Sequence, residues 1–143
     1  MMPIYLPDHA RAQLEEMVRA GYPLETCGLL VGLSGQDGSE VRRVAQARNV
    51  NQERARDRYE LDPDDFLKID ERARAEGLDV VGVWHSHPDH PAQPSEIDRT
   101  DEWVSEGWSY VIVSVTSDGI ADLRCWRLNG KHFVEEPIKP CPR

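Results

Sequence analysis

The apolar positions of the chain follow two kinds of spacing. Ala10, Leu14, Met17 and Val18 recur at three and four residues, the stripe of a helix that buries one side. Asp8 is placed to cap its start and Gly21 lies near its end, so a helix is expected from about Asp8 to Tyr22. Phe66, Ile69 and Ala73 repeat the pattern. There Asp62 is placed as N-cap and Pro63 as first helical residue. Asp64 and Asp65 sit at the positive end of the helix dipole, and Gly77 marks the stop. Ile97, Thr100, Asp101 and Val104 give a third helical spacing, through "SEIDRTDEWVSEG".

The second kind of spacing is that of strands. "CGLLVGL" and "SYVIVSVT" are short apolar runs of the type buried on both faces. "VRRVAQARNV" and "DVVGVWHSH" read as further strands. "IADLRCWRLN" and "KHFVEEPI" read as antiparallel partners joined by the Asn129-Gly130 turn. "PIYL" and "YELD" are short strand candidates, "SGQDGSE" a turn and "NQERARDR" a polar loop. The sum is an α/β (α+β) domain, a mixed sheet flanked by about three helices. One domain is expected over residues 1–136, with an irregular tail over 137–143.

Composition narrows the functional classes. The net charge of -9 argues against nucleic acid as a partner, because that needs a basic face. No segment approaches the roughly 20 apolar residues of a membrane span, and the N-terminus lacks the basic start and apolar core of a secretory signal. The cysteines Cys27, Cys125 and Cys141 are odd in number and widely spaced, which speaks against a disulfide framework or a cysteine-only zinc site. A cytoplasmic protein is expected, with Cys27 and Cys125 as small buried apolar residues.

The chemistry concentrates in "VVGVWHSHPDHPAQPSEID", residues 80–98. His85 and His87 end a predicted strand, where alternation puts both imidazoles on one face. A catalytic zinc takes three protein ligands and a water, so a third ligand is needed. Two sources compete. "HSHPDH" matches the H-x-H-x-D-H of the metallo-β-lactamase superfamily, in which Asp89 and His90 would also bind metal. Alternatively, Asp98 comes from the start of the third helix, where Ser95 and Asp98 would otherwise be a capping-box variant. The lactamase pattern needs a longer chain and further downstream ligands, and only His132 follows His90. A zinc deaminase would need H-x-E and P-C-x-x-C, and neither is present. Amide hydrolysis also needs a carboxylate to move the water's proton. Glu25, just before "TCGLLVG", is the best candidate; Glu53, Glu60 and Glu96 are rivals between which composition does not choose.

Taken together, Glu25 with "CGLLVG", "HSHP" at 85–88 and "SEID" at 95–98 resemble the JAMM (MPN+, Mov34/MPN/PAD-1) zinc metallopeptidases, and their prokaryotic branch in particular. The resemblance covers roughly residues 4–135 and implies the JAMM/MPN, cytidine-deaminase-like, fold. It implies one Zn2+ held by His85, His87 and Asp98, with water as fourth ligand. It further implies Glu25 as general base and then acid, and Ser95 as the residue that helps hold the water and stabilise the oxyanion. The family cleaves amide or isopeptide bonds after the C-terminal Gly-Gly of ubiquitin-like proteins, and its prokaryotic members act on ubiquitin-like sulfur carriers. A protein partner with a diglycine tail is therefore implied. The polar segment "NVNQERARDRYELD" is a candidate wall for that tail. The same fold also occurs as non-catalytic binding modules, but no motif position is substituted here.

Overall fold

The computed structural model describes residues 3–51, 59–94, 107–129 and 132–141. Its strands are β1 (Ile4–Tyr5), β2 (Cys27–Gly35), β3 (Gly38–Ala47), β4 (Asp79–Pro88), β5 (Ser109–Thr116), β6 (Gly119–Asn129), β7 (His132–Glu136) and β8 (Ile138–Lys139). Two described helices, α1 (Asp8–Gly21) and α2 (Pro63–Ala75), lie among them. The strands form one mixed sheet in the order β7-β6-β5-β4-β2-β3-β1-β8. The pairs β4/β5, β1/β3 and β1/β8 are parallel, and the rest antiparallel. The expected α+β class with a mixed sheet is therefore what forms. The expected third helix lies outside the described residues, as do the Gly130 turn position and all but the first residue of "NQERARDR".

Among the described residues, each face of the sheet carries one helix. Ala10, Leu14 and Val18 of α1 pack with Leu30, Val44, Trp84, Val111 and Val113. Phe66 and Ile69 of α2 pack against Cys27, Leu29, Leu61, Val83 and Tyr110 on the other face. Strands covered on both sides must be apolar on both, which is why β2, β4 and β5 read as nearly continuous apolar runs.

The central strands approach closely at Gly28. Trp84, fully buried, donates its Nε1–H to the Ala45 carbonyl at 3.1 Å. A Cβ on Gly28 would stand 2.0 Å from that carbonyl oxygen and 2.5 Å from Trp84 Nε1. Gly28→Ala is therefore expected to destabilise by about 1–3 kcal/mol or more, the cost of overpacking a filled core. A thermal melt several degrees lower would show it, and an unchanged midpoint would refute the close approach.

Three local expectations change. The N-cap of α1 is Pro7, not Asp8; Asp8 is the first helical residue and makes no capping bond. Asp62 does occupy the N-cap of α2 but caps with no side-chain bond. Its carboxylate accepts instead from Arg48 Nη2 at 2.5 Å. The tail expected to be irregular contributes Ile138 and Lys139 as β8, tied to β1 by Ile4 N–H to Pro137 O at 2.9 Å and Leu6 N–H to Lys139 O at 2.7 Å. "YELD" contributes only an isolated bridge, Asn49 to Leu61.

Candidate active site

β4 runs between β2 and β5 and ends at the two histidines. Its register sets His85 opposite Cys27 of β2 and beside Ile112 of β5. Carried on by two residues, the β2 register brings Glu25 to His87, and period-two alternation leaves Glu25, His85 and His87 on one face. All three are buried, at 7%, 2% and 8% exposure. A buried carboxylate is costly unless it is paired, and here it shares its face with two buried imidazoles.

The bonds holding this arrangement come from residues that sequence reasoning passed over. Ser86, between the histidines, is fully buried. Its Oγ accepts from the Thr26 N–H at 2.9 Å and from the Thr26 hydroxyl at 3.2 Å, while its own N–H donates to Thr26 O at 2.9 Å. The residue after Glu25 is thus clamped to the residue between the histidines. On the other side of Glu25, Asn49 Nδ2 donates to the Glu25 carbonyl at 3.1 Å. Asn49 Oδ1 meanwhile accepts from the N–H groups of Asn51 and Glu60 at 3.0 and 2.9 Å. Tyr59 stacks on the His85 ring, centroids 4.5 Å apart. The signal in the sequence was a hydroxyl at an inward strand position and an Asn ending a strand, both too common to single out.

An open cleft adjoins Glu25, lined also by Thr26, Gln46, Ala47, Arg48, Asn49 and Asp65. Asp65 accepts the Arg48 N–H at 2.8 Å. That bond first, and the guanidinium of Arg48 with it, holds the Asp65 carboxyl below its ordinary range. One wall of the cleft therefore carries a fixed anion at neutral pH.

The donor chemistry suits a metal ion. His87 Nδ1 lies 2.8 Å from the Pro91 carbonyl. A carbonyl only accepts, so Nδ1 carries a proton, and in the neutral ring Nε2 then presents a lone pair, the arrangement usual in metal-binding histidines. The Nε2 atoms of His85 and His87 stand 3.1 Å apart. Two nitrogens on one tetrahedral zinc, each at about 2.0–2.1 Å, are roughly 3.3 Å apart. The pair therefore fits as two of three donors. Among the described residues no group of three His, Cys, Asp or Glu forms a complete cradle. The expected third donor, Asp98, and the expected helper, Ser95, lie outside the described residues, as do the rival carboxylates Glu53 and Glu96. Glu60, the remaining rival, is exposed.

Asp89 and His90 are used otherwise. Asp89 has φ 61°, a left-handed conformation that Asp tolerates. Both its carboxylate oxygens lie 3.0 Å from the Tyr22 hydroxyl, which donates to them. The His90 carbonyl accepts from Ser114 Oγ at 2.6 Å, and its side chain is exposed. These contacts, with Trp126 Nε1–H to Ala92 O at 3.0 Å, pin the loop that supplies the Pro91 carbonyl. Two strands from β4, Cys125 is buried as expected but is not simply apolar: Glu136 Oε1 lies 3.1 Å from its sulfur. Burial first, then that carboxylate, push the thiol well above its ordinary pKa, so it stays protonated and inert.

Known proteins share this arrangement of chain. Residues 7–129 match the family of prokaryotic homologs of the JAB domain, Prok-JAB. A desampylase of Haloferax volcanii is 39% identical over 116 residues, 79% of this chain and 76% of its own. A desampylase of Pyrococcus furiosus is 28% identical over 134 residues, 93% of this chain and 86% of its own. A solution structure from Desulfitobacterium hafniense aligns with a TM-score of 0.83 at 28% identity, over 94% of this chain and 90% of that one. The crystal structure of a JAB1/MPN domain protein from Archaeoglobus fulgidus, 20% identical, has the same fold at a TM-score of 0.57 over 96% of each chain. On these matches the chain belongs to the prokaryotic JAB homologs, within the JAMM/MPN family.

Proposed function

We propose that the protein is a cytoplasmic zinc metallopeptidase that hydrolyses an amide or isopeptide bond after the C-terminal Gly-Gly of a ubiquitin-like protein or sulfur carrier. The observation that carries this reading is the convergence of His85 and His87 Nε2 on the sheet face that also bears Glu25. The two relatives named desampylase support it. His85, His87 and Asp98 would hold the ion, which when bound lowers the pKa of a water and polarises the scissile carbonyl. Glu25 takes the proton of the attacking water and delivers it to the leaving amine as the C–N bond breaks. Ser95 donates a hydrogen bond to the developing oxyanion. The Thr26–Ser86 clamp and the Asn49 bond keep the Glu25 backbone fixed, so the carboxylate pays little reorganisation at the moment of transfer. The cleft beside Glu25 is open along β3 and suits a side-chain-free diglycine, which can lie extended against the wall formed by residues 46–49.

Incubating the zinc-loaded protein with ubiquitin-like carriers extended beyond Gly-Gly tests this directly. Mass spectrometry is expected to show a product ending in Gly-Gly that disappears when a chelator is added. Intact carriers throughout, or cuts elsewhere in the chain, would overturn the assignment.

A further inference from the structure

The edge of β3 away from β2 is only partly covered. β1 meets it at Ser39 and Glu40, and among the described residues no strand pairs with residues 42–47 on that side. An open sheet edge is a template for another strand. Here the edge floors a groove of about 830 Å3 between α1 and α2.

The two walls differ. From α2 and the β3 side chain directed toward it come Lys68, Arg72 and Arg43, with Ile69 between them. From α1 come Ala12, Gln13, Glu16 and Met17. Glu16 is already paired with Arg19 at 3.1 Å. Glu76, beyond the lining, takes Arg43 at 2.8 Å and Arg72 at 3.7 Å, while Lys68 has no ion-pair partner among the described residues. In a chain of net charge -9 this wall gathers three cations beside the one carboxylate of Glu76, and Lys68 also acts on Asp65 from a distance. Gln46 lines both the groove and the cleft beside Glu25, so the two adjoin.

We propose that this groove binds an extended acidic segment of the protein substrate, added as a strand to the edge of β3. The proposal rests on the peptidase reading for the identity of the partner as substrate, though not for binding itself. The occupant is a single strand for a steric reason: the floor lies recessed between two helices, and a second copy's sheet would bring its own flanking helices against them. Residues 43–47, beyond the irregularity at Arg42, offer a ladder of about 17 Å at roughly 3.3 Å per residue. Side chains of an added strand alternate between the walls. Acidic ones would face Arg43, Lys68 and Arg72, and small or apolar ones would face Ala12 and Met17. Backbone pairing supplies affinity and the charged wall supplies selection and on-rate.

The test uses a labelled seven-residue peptide of alternating valine and aspartate, its valine–lysine counterpart, and the acidic peptide N-methylated at alternate amides. Anisotropy on the full chain, with and without zinc, is expected to show binding of the acidic peptide alone, weakened by salt and insensitive to zinc. Lys68→Glu with Arg72→Glu, both exposed positions, should weaken that binding at least tenfold. For a cleavable acidic carrier the same double variant should raise KM while kcat stays within twofold. Equal binding of the two unmethylated peptides, full binding of the methylated one, or an unaltered double variant would overturn the proposal. So would a dimer that the double variant dissociates, which would make a second copy the occupant. Binding without cleavage of any Gly-Gly carrier would remove the peptidase reading and leave the groove standing. Cleavage with unchanged KM in the double variant would do the reverse.

Discussion

Glu25→Gln is expected to lower kcat/KM on a Gly-Gly-extended carrier by about 10^2–10^4-fold, the range that a positioned general acid–base contributes. That corresponds to roughly 3–5 kcal/mol of transition-state stabilisation. The amide is isosteric with the carboxylate and keeps its volume in a site that is 7% exposed, so the fold should survive. What is lost is the ability to accept the proton of the attacking water. Zinc content should stay at one equivalent, because Glu25 is not among the proposed ligands. The loss should fall mainly on kcat, since the group acts on the transferring proton rather than on the bound tail. Turnover of the variant within about threefold of wild type, at equal zinc, would remove Glu25 from the mechanism. Loss of zinc in the variant would instead make Glu25 a ligand, a different site from the one proposed.

Why the spacing alone reaches the histidines, while Glu25 is settled on only through the family resemblance, follows from the range of the interactions. His85 and His87 lie two apart on one strand, so the period of β structure alone sets them on one face. α2 was equally legible, because its start is written in Asp62–Pro63 and its stop in Gly77, whose φ of 76° suits glycine. Asp62 shows where such local rules end. The N-cap position is right, yet its carboxylate goes to Arg48, fourteen residues earlier, a partner that only the β3-to-α2 connection brings near. Glu25 could not be chosen from composition for the same reason. What distinguishes it from the exposed Glu60 is the pairing of Cys27 with His85, a contact between residues 58 positions apart in sequence. The Thr26–Ser86 clamp spans sixty residues and leaves no periodic trace. β8 was missed because a two-residue strand has no alternation to read; its place comes from β1, which borrows it as a neighbour.

The ligand set predicts the second large effect. His87→Ala and Asp98→Ala should each weaken zinc binding by more than about 10^2-fold, beyond the 10–100-fold typical of groups that only orient ligands. Chelator competition on the folded protein would measure this. Asp89→Asn should cost less than tenfold. The amide still accepts from the Tyr22 hydroxyl and tolerates the left-handed backbone, so the loop that offers Pro91 O to His87 is kept. Tyr22→Phe provides the matching control: it removes the donor and leaves every proposed ligand in place. If Asp89 were a ligand, as the H-x-H-x-D-H pattern would have it, its carboxylate would have to abandon both 3.0 Å contacts with Tyr22. Asp89→Asn would then release zinc while Asp98→Ala retained it. That outcome would refute the JAMM ligand set outright. The expected outcome, loss in Asp98→Ala and retention in Asp89→Asn, would make the loop after β4 a support for His87 rather than part of the metal centre.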